Sequence, residues 1–183
     1  PPAPRLSAPD APSPRGLQGP SFPRPEFDVQ LRFLPLADQL GVGSIDLGLP
    51  GSGPRAVAHV GRLAEEIRDE RLGIKPLCAA RTLEVDIRPV VEISQRVGIP
   101  IEVAAFIGSS PIRQYAEGWT IDQMVEHTPK AVRFARDPQL PVMFVTVDTT
   151  RALPDPLERI VMVGIEDGAA RVAACSTAGH AQP

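Results

Sequence analysis

Two apolar, β-branched stretches dominate the hydrophobic pattern of the chain, residues 99–107 and 142–147. Each is bounded by Gly or Pro, and about thirty residues of helix-compatible sequence separate them. Runs that are apolar at consecutive positions predict strands covered on both faces, so the unit reads as strand, helix, parallel strand. The alternation extends in both directions. Val29, Leu31, Phe33, Leu34, Leu36 and Leu40 fit a first amphipathic helix, interrupted by Pro35 and closed by Gly41. The segment G-S-I-D-L-G-L-P predicts a short strand running into the glycine-rich turn 51–53. Pro54 suits a first helical turn, and Val57, Val60, Leu63, Ala64 and Ile67 follow at helical spacing. Further strands are predicted at 74–80, 101–107 and 171–175. Further helices are predicted at 84–97, closed by Gly98; at 120–136, with Thr120 as N-cap and Pro129 as a kink; and at 155–167, closed by Gly168.

Strand and helix therefore alternate five times, which predicts an α/β domain built on a parallel sheet. A closed barrel of such units needs eight strands. Five are clear, and residues 4–9 offer a possible sixth, so the prediction is a TIM-barrel-type (β/α)8 fold truncated to five or six parallel strands with outer helices. The partial barrel occupies residues 27–183. Residues 1–26 form a Pro-rich arm containing a degenerate first strand: nine of the chain's 22 prolines fall within the first 25 of its 183 positions. Charge is mixed, 19 basic against 22 acidic residues for a net charge of −3, and lacks the basic footprint of a nucleic-acid partner. Cys78 and Cys175 sit in apolar runs and are expected to be free thiols. With no apolar run of about 18 residues and no visible signal peptide, the sequence predicts a soluble, cytoplasmic protein without a membrane partner.

In parallel barrels the reactive face lies at the strand C-termini, which would gather Ser109, Ser110, Thr146, Asp148, Thr149 and Arg151 at one mouth. Arg113 is expected to lie beyond its strand end. Five strand-end motifs, S-I-D-L-G-L-P-G-S-G-P-R-A-V, C-A-A-R-T-L-E-V-D-I, F-I-G-S-S-P-I-R-Q, F-V-T-V-D-T-T-R and C-S-T-A-G-H-A-Q-P, resemble successive motifs of the 2-isopropylmalate synthase, homocitrate synthase and HMG-CoA lyase superfamily. The order and spacing resemble that family over about 140 residues, beyond what any one short motif carries. The resemblance implies a metal-dependent barrel that makes or breaks a carbon-carbon bond next to a carboxylate. In its synthases, acetyl-CoA is deprotonated and attacks a 2-oxo acid held on a divalent metal (Mg, Mn or Zn). Acetyl-CoA and a 2-oxo acid are thus the implied partners, with a homo-oligomer possible.

Carried over with a one-residue shift in the first motif, the resemblance implies Arg15 as donor to the enolate oxygen, with Asp148 and His180 as the other catalytic candidates. Asp46, Arg81, Ser110, Arg151 and Thr177 become the substrate-binding set. Asp46 is equally readable as an acid capping the 51–53 turn, and Arg81 as half of an ion pair with Asp86 or Glu84. His59 and His127 are read as structural. The sequence also departs from the family. Pro14 and Arg15 stand where an Arg and a metal-binding Asp are expected, Val147 where a catalytic Glu is expected, and Ser176-Thr177 where Asp-Thr is usual. A cation cannot replace an anionic metal ligand. The family's H-x-H pair would come after residue 183, so no metal ligand can be named in this chain. The implied function is a synthase-like acyltransferase, impaired in this chain. The alternative is a non-catalytic homologue or fragment that keeps the scaffold and a carboxylate pocket.

Overall fold

A computed structural model describes residues 26–176. Its elements run α1 Phe27–Gln39, β1 Ser44–Asp46, α2 Pro54–Asp69, β2 Lys75–Arg81, α3 Glu84–Val97, β3 Glu102–Gly108, α4 Pro111–Glu117, α5 Ile121–Arg136, β4 Val142–Val147, α6 Pro154–Glu166 and β5 Arg171–Ala174. Short 3-10 turns at Pro50–Ser52 and Thr149–Arg151 follow β1 and β4. The five strands form one sheet in the order β1-β2-β3-β4-β5, every pair parallel, curled into a half-barrel with its helices outside. This is the truncated α/β barrel that the alternation predicts. The possible strand at residues 4–9 lies outside the described residues.

Register divides the side chains between two layers. Leu77, Ala104, Met143 and Val145 cluster on the concave face, joined by Phe106, Val147, Ala173 and Cys175. Alternate positions such as Cys78, Ala80, Val103, Ala105 and Val142 point the other way, into a larger core with Val60, Leu63, Ile87, Val90 and Ile93 of the helices. Phe144, fully buried, meets Met124 of α5 and Ile160 of α6 in a third cluster. Both faces of β3 and β4 are covered, which is why these strands lack a polar alternation.

Helix ends follow the local chemistry. Thr120 Oγ1 accepts from Gln123 N at 3.2 Å while Gln123 Oε1 accepts from Thr120 N at 2.8 Å, a reciprocal cap on α5. Prolines 35, 89 and 129 all lie inside helices that continue through them. Tertiary burial on either side of each proline outweighs the lost backbone bond, as intrinsic propensity alone does not foresee. Helix α4 is additional to the predicted helices, and none of its seven residues is buried. No helix among the described residues is long and apolar enough to cross a membrane.

Candidate functional site

The strand C-termini carry two adjoining clusters. The first centres on Asp148, which takes a left-handed backbone conformation (φ 56°, ψ 36°) directly after β4. Asp tolerates this region better than most residues. The bend starts the 149–151 turn and brings Arg151 back over the carboxylate, where Arg151 Nε donates to Asp148 Oδ1 at 2.8 Å. From the neighbouring strand, Ser110 Oγ donates to Asp148 Oδ2 at 2.5 Å and accepts from Arg113 N at 3.3 Å as the N-cap of α4. Asp148 is only 1 % exposed and Ser110 fully buried. The Arg151 hydrogen bond first, and the Ser110 bond second, hold the Asp148 carboxyl below the usual carboxylate range, against an opposing effect of burial. Asp148 is therefore a buried, ionised anchor.

Arg81 occupies the end of β2. Its Nε and Nη2 donate to Asp86 Oδ2 and Oδ1 at 2.6 and 2.9 Å, a bidentate pair across the start of α3. Arg81 thus pairs with Asp86 and not with Glu84, which pairs with Arg88. Arg81 also lines a cavity of about 410 Å³ together with Thr82, Phe106, Arg113, Glu117 and Trp119.

Arg113 does not lie beyond the strand end. Its side chain is laid across Gly108, the last residue of β3: a Cβ at that glycine would meet Arg113 Cγ at 2.9 Å and Arg113 Nε at 3.0 Å. The missing side chain of Gly108 is the space Arg113 uses. Arg113 Nε approaches Glu117 Oε1 at 3.3 Å, an ion pair not directed as a hydrogen bond. Arg113 Nε and the Ser109 hydroxyl are the two buried side-chain polar atoms without a hydrogen-bond partner among the described residues. Such a group costs about 1–3 kcal/mol when left unmet. The sequence carried a signal for Arg113, the glycine five residues before it, but only the fold shows that the two meet.

The mouth thus brings together Ser110, Asp148 and Arg151, with Arg81 in the adjoining cleft. Asp46, at the end of β1, accepts from Gly48 N at 2.9 Å, so the turn it caps is the one directly following it. Arg15, Thr177 and His180 lie outside the described residues. His59 is held by Gln30 and against the Phe27 ring, and His127 packs beside Trp119. Cys78 is a buried free thiol. A larger cavity of about 890 Å³ opens at the opposite end, among Ile67, Leu72, Ile99, Pro141 and the Arg171–Glu102 pair. That end holds the strand N-termini, which in parallel barrels serve stability and not chemistry.

Residues 26–183 match the family model described as HMGL-like. The chain belongs to the HMGL-like family. It is 31% identical over 173 residues to 2-isopropylmalate synthase of Aquifex aeolicus, covering 92% of this chain and 31% of that protein. It is 32% identical over 161 residues to 2-isopropylmalate synthase of Methylococcus capsulatus, covering 85% and 30%. The chain spans about a third of the length of these curated relatives. Its fold resembles HMG-CoA lyase of Bacillus subtilis, with a TM-score of 0.68 and 14% identity over 87% of this chain and 54% of the lyase. The carboxyl transferase domain of Rhizobium etli pyruvate carboxylase, with a TM-score of 0.55 and 16% identity, covers 87% and 26%.

HMGL-like enzymes are generally metal-dependent. The donor set that the described residues place at this mouth does not fit a divalent ion. Among the described residues, no three His, Cys, Asp or Glu side chains converge where they could hold one. Asp86 and Asp148 are each closed off by an arginine, and Asp46 by a backbone N–H. A hard dication takes several oxygen ligands, and an arginine on the same carboxylate opposes it.

Proposed function

We propose that this HMGL-like chain is a partial barrel of the acyltransferase type that condenses acetyl-CoA with a 2-oxo acid, impaired in this chain. In this reading the described residues supply a carboxylate cradle and not the metal site. The observation that supports it most is the placement of Arg81, Arg113 and the Ser110–Asp148–Arg151 array at the C-terminal ends of adjacent parallel strands, where barrels put their chemistry. The family's synthases, named 2-isopropylmalate synthase among the relatives, give the reaction class. Arg15 as enolate donor, Thr177 as a carboxylate contact and His180 as a base complete the proposed set.

A Claisen-type condensation needs a cation on the 2-oxo acid, a donor for the enolate oxygen and a base for the acetyl methyl group. Asp148 is a weak candidate for the base, because a carboxylate stabilised by two hydrogen bonds gives up little on staying ionised. Val147 adds no proton acceptor at the position where the family carries Glu. These two points favour, as a second reading, a homologue that keeps the scaffold and the carboxylate cradle without turnover.

The test is CoA release by the 183-residue chain given acetyl-CoA, a panel of 2-oxo acids and Mg or Mn. The expected result is no release above background, with carboxylate binding retained. Metal-dependent release by the unmodified chain would overturn the donor accounting.

A further inference from the structure

We propose that Glu117 is an internal stand-in for the ligand: its carboxylate occupies, between Arg81 and Arg113, the position that the carboxylate of a compact monoanionic acid takes when it binds. The inference rests on the carboxylate-cradle reading above and names the residue that governs entry.

The cleft is built from two arginines, one acid and two aromatic rings. Asp86 already matches the charge of Arg81 with a bidentate pair. Arg113 is the cation left to Glu117, at 3.3 Å, and Glu117 lies within electrostatic range of Arg81 as well. Asp148 also feels the Arg113 charge, but its carboxylate is engaged by Arg151 and Ser110. One positive charge thus remains for an incoming anion once Glu117 moves aside, which selects a monocarboxylate over a dianion.

Glu117 fills that position poorly. The Arg113 Nε–H is buried and has no directed acceptor, although a carboxylate oxygen is within ion-pair distance. A carboxylate arriving from the cavity is not bound to the geometry of a side chain four residues along the same short helix, so it can meet that N–H in line. Glu117 is about a third exposed, 37 % for its side chain, and is the last residue of α4. Gly118 follows with φ 68°, a conformation that ends the helix and leaves this side chain at its rim. Phe106 and Trp119 give the cavity an apolar floor and wall for a short acyl body, and 410 Å³ lies at the small end of ligand cavities.

Trp119 is the only tryptophan of the chain and lines the cavity, so its fluorescence reads occupancy without any turnover. The experiment titrates pyruvate, with methyl pyruvate as the uncharged control, into the unmodified chain and into Glu117→Gln and Arg113→Met, each checked for native circular dichroism. Glu117→Gln, nearly isosteric, is expected to tighten pyruvate about three- to fivefold, the worth of a half-exposed ion pair, and to leave methyl pyruvate unaffected. Arg113→Met is expected to weaken pyruvate by about tenfold or more. Pyruvate binding that Glu117→Gln leaves unchanged would overturn the stand-in while leaving the cradle reading intact. An absence of pyruvate binding to every variant at tens of millimolar would overturn both.

Discussion

The Asp148 side chain shows how one buried charge sets a pH dependence. Its carboxyl is held down by Arg151 and Ser110 in the folded chain, while the unfolded chain titrates near the ordinary value of 3.8. A depressed folded-state value means the unfolded state binds the proton more readily, so the stabilisation is fully present above the unfolded value. It is lost as pH falls through the folded one. Urea midpoints measured from pH 6 downward should therefore fall more steeply below about pH 4 in the unmodified chain than in Asp148→Asn, which has no proton to take up there. Parallel curves for the two proteins would remove Asp148 as a contributor. Ser110→Ala should flatten the same region partway. It should also cost about 1–3 kcal/mol, because it strips a hydrogen bond from a buried carboxylate and a cap from α4 together. A loss within a few tenths of a kcal/mol would place Ser110 outside the array.

Elements differ in how far pattern alone reveals them. Helix α3 falls at the predicted residues 84–97 because its buried positions, Ile87, Val90, Val91, Ile93, Ser94 and Val97, recur at helical spacing and Gly98 closes it. Strand β4 likewise matches its apolar run of residues 142–147. Helix α4 buries nothing, so its local signs are confined to its ends, Ser110 before Pro111 and Gly118 after Glu117. The candidate site was legible in parts for a related reason. Ser110, Asp148 and Arg151 could be placed at strand ends from the alternation, but no local pattern says that Arg81 turns to Asp86 or that Gly108 makes room for Arg113. Those are contacts between elements, and their sequence signals lie in different motifs. Stability should rank the elements by burial. Phe144→Ala, which empties a fully buried site between α5 and α6, should cost about 3–5 kcal/mol. Thr120→Ala, which removes only the cap of α5, should cost about 0.5–2 kcal/mol. Urea unfolding of both variants checks the order, and a larger loss for Thr120→Ala would mean that α5 is held by its end more than by its face.

At the scale of the molecule, the curled sheet of five parallel strands has two edges among the described residues, where a closed barrel has none. At one of them β5 pairs only with β4 among the described residues, so one row of its backbone groups meets no ladder partner there. Its Val172 side chain is 38% exposed, and Met162 and Ile165 on α6 are each 46% exposed, so the unpaired edge is flanked by apolar surface. An edge strand with apolar surface beside it is a template for pairing with another edge. The 183-residue chain on its own is therefore expected to associate, with a sedimentation-velocity distribution that moves to larger species as concentration rises. Placing Lys at both Ile165 and Val172 should shift that distribution back toward the monomer, since a charge beside an edge opposes pairing at little cost to the fold. A chain that stays monomeric at high concentration and melts cooperatively above about 65 °C would show instead that the edge is satisfied within the chain itself.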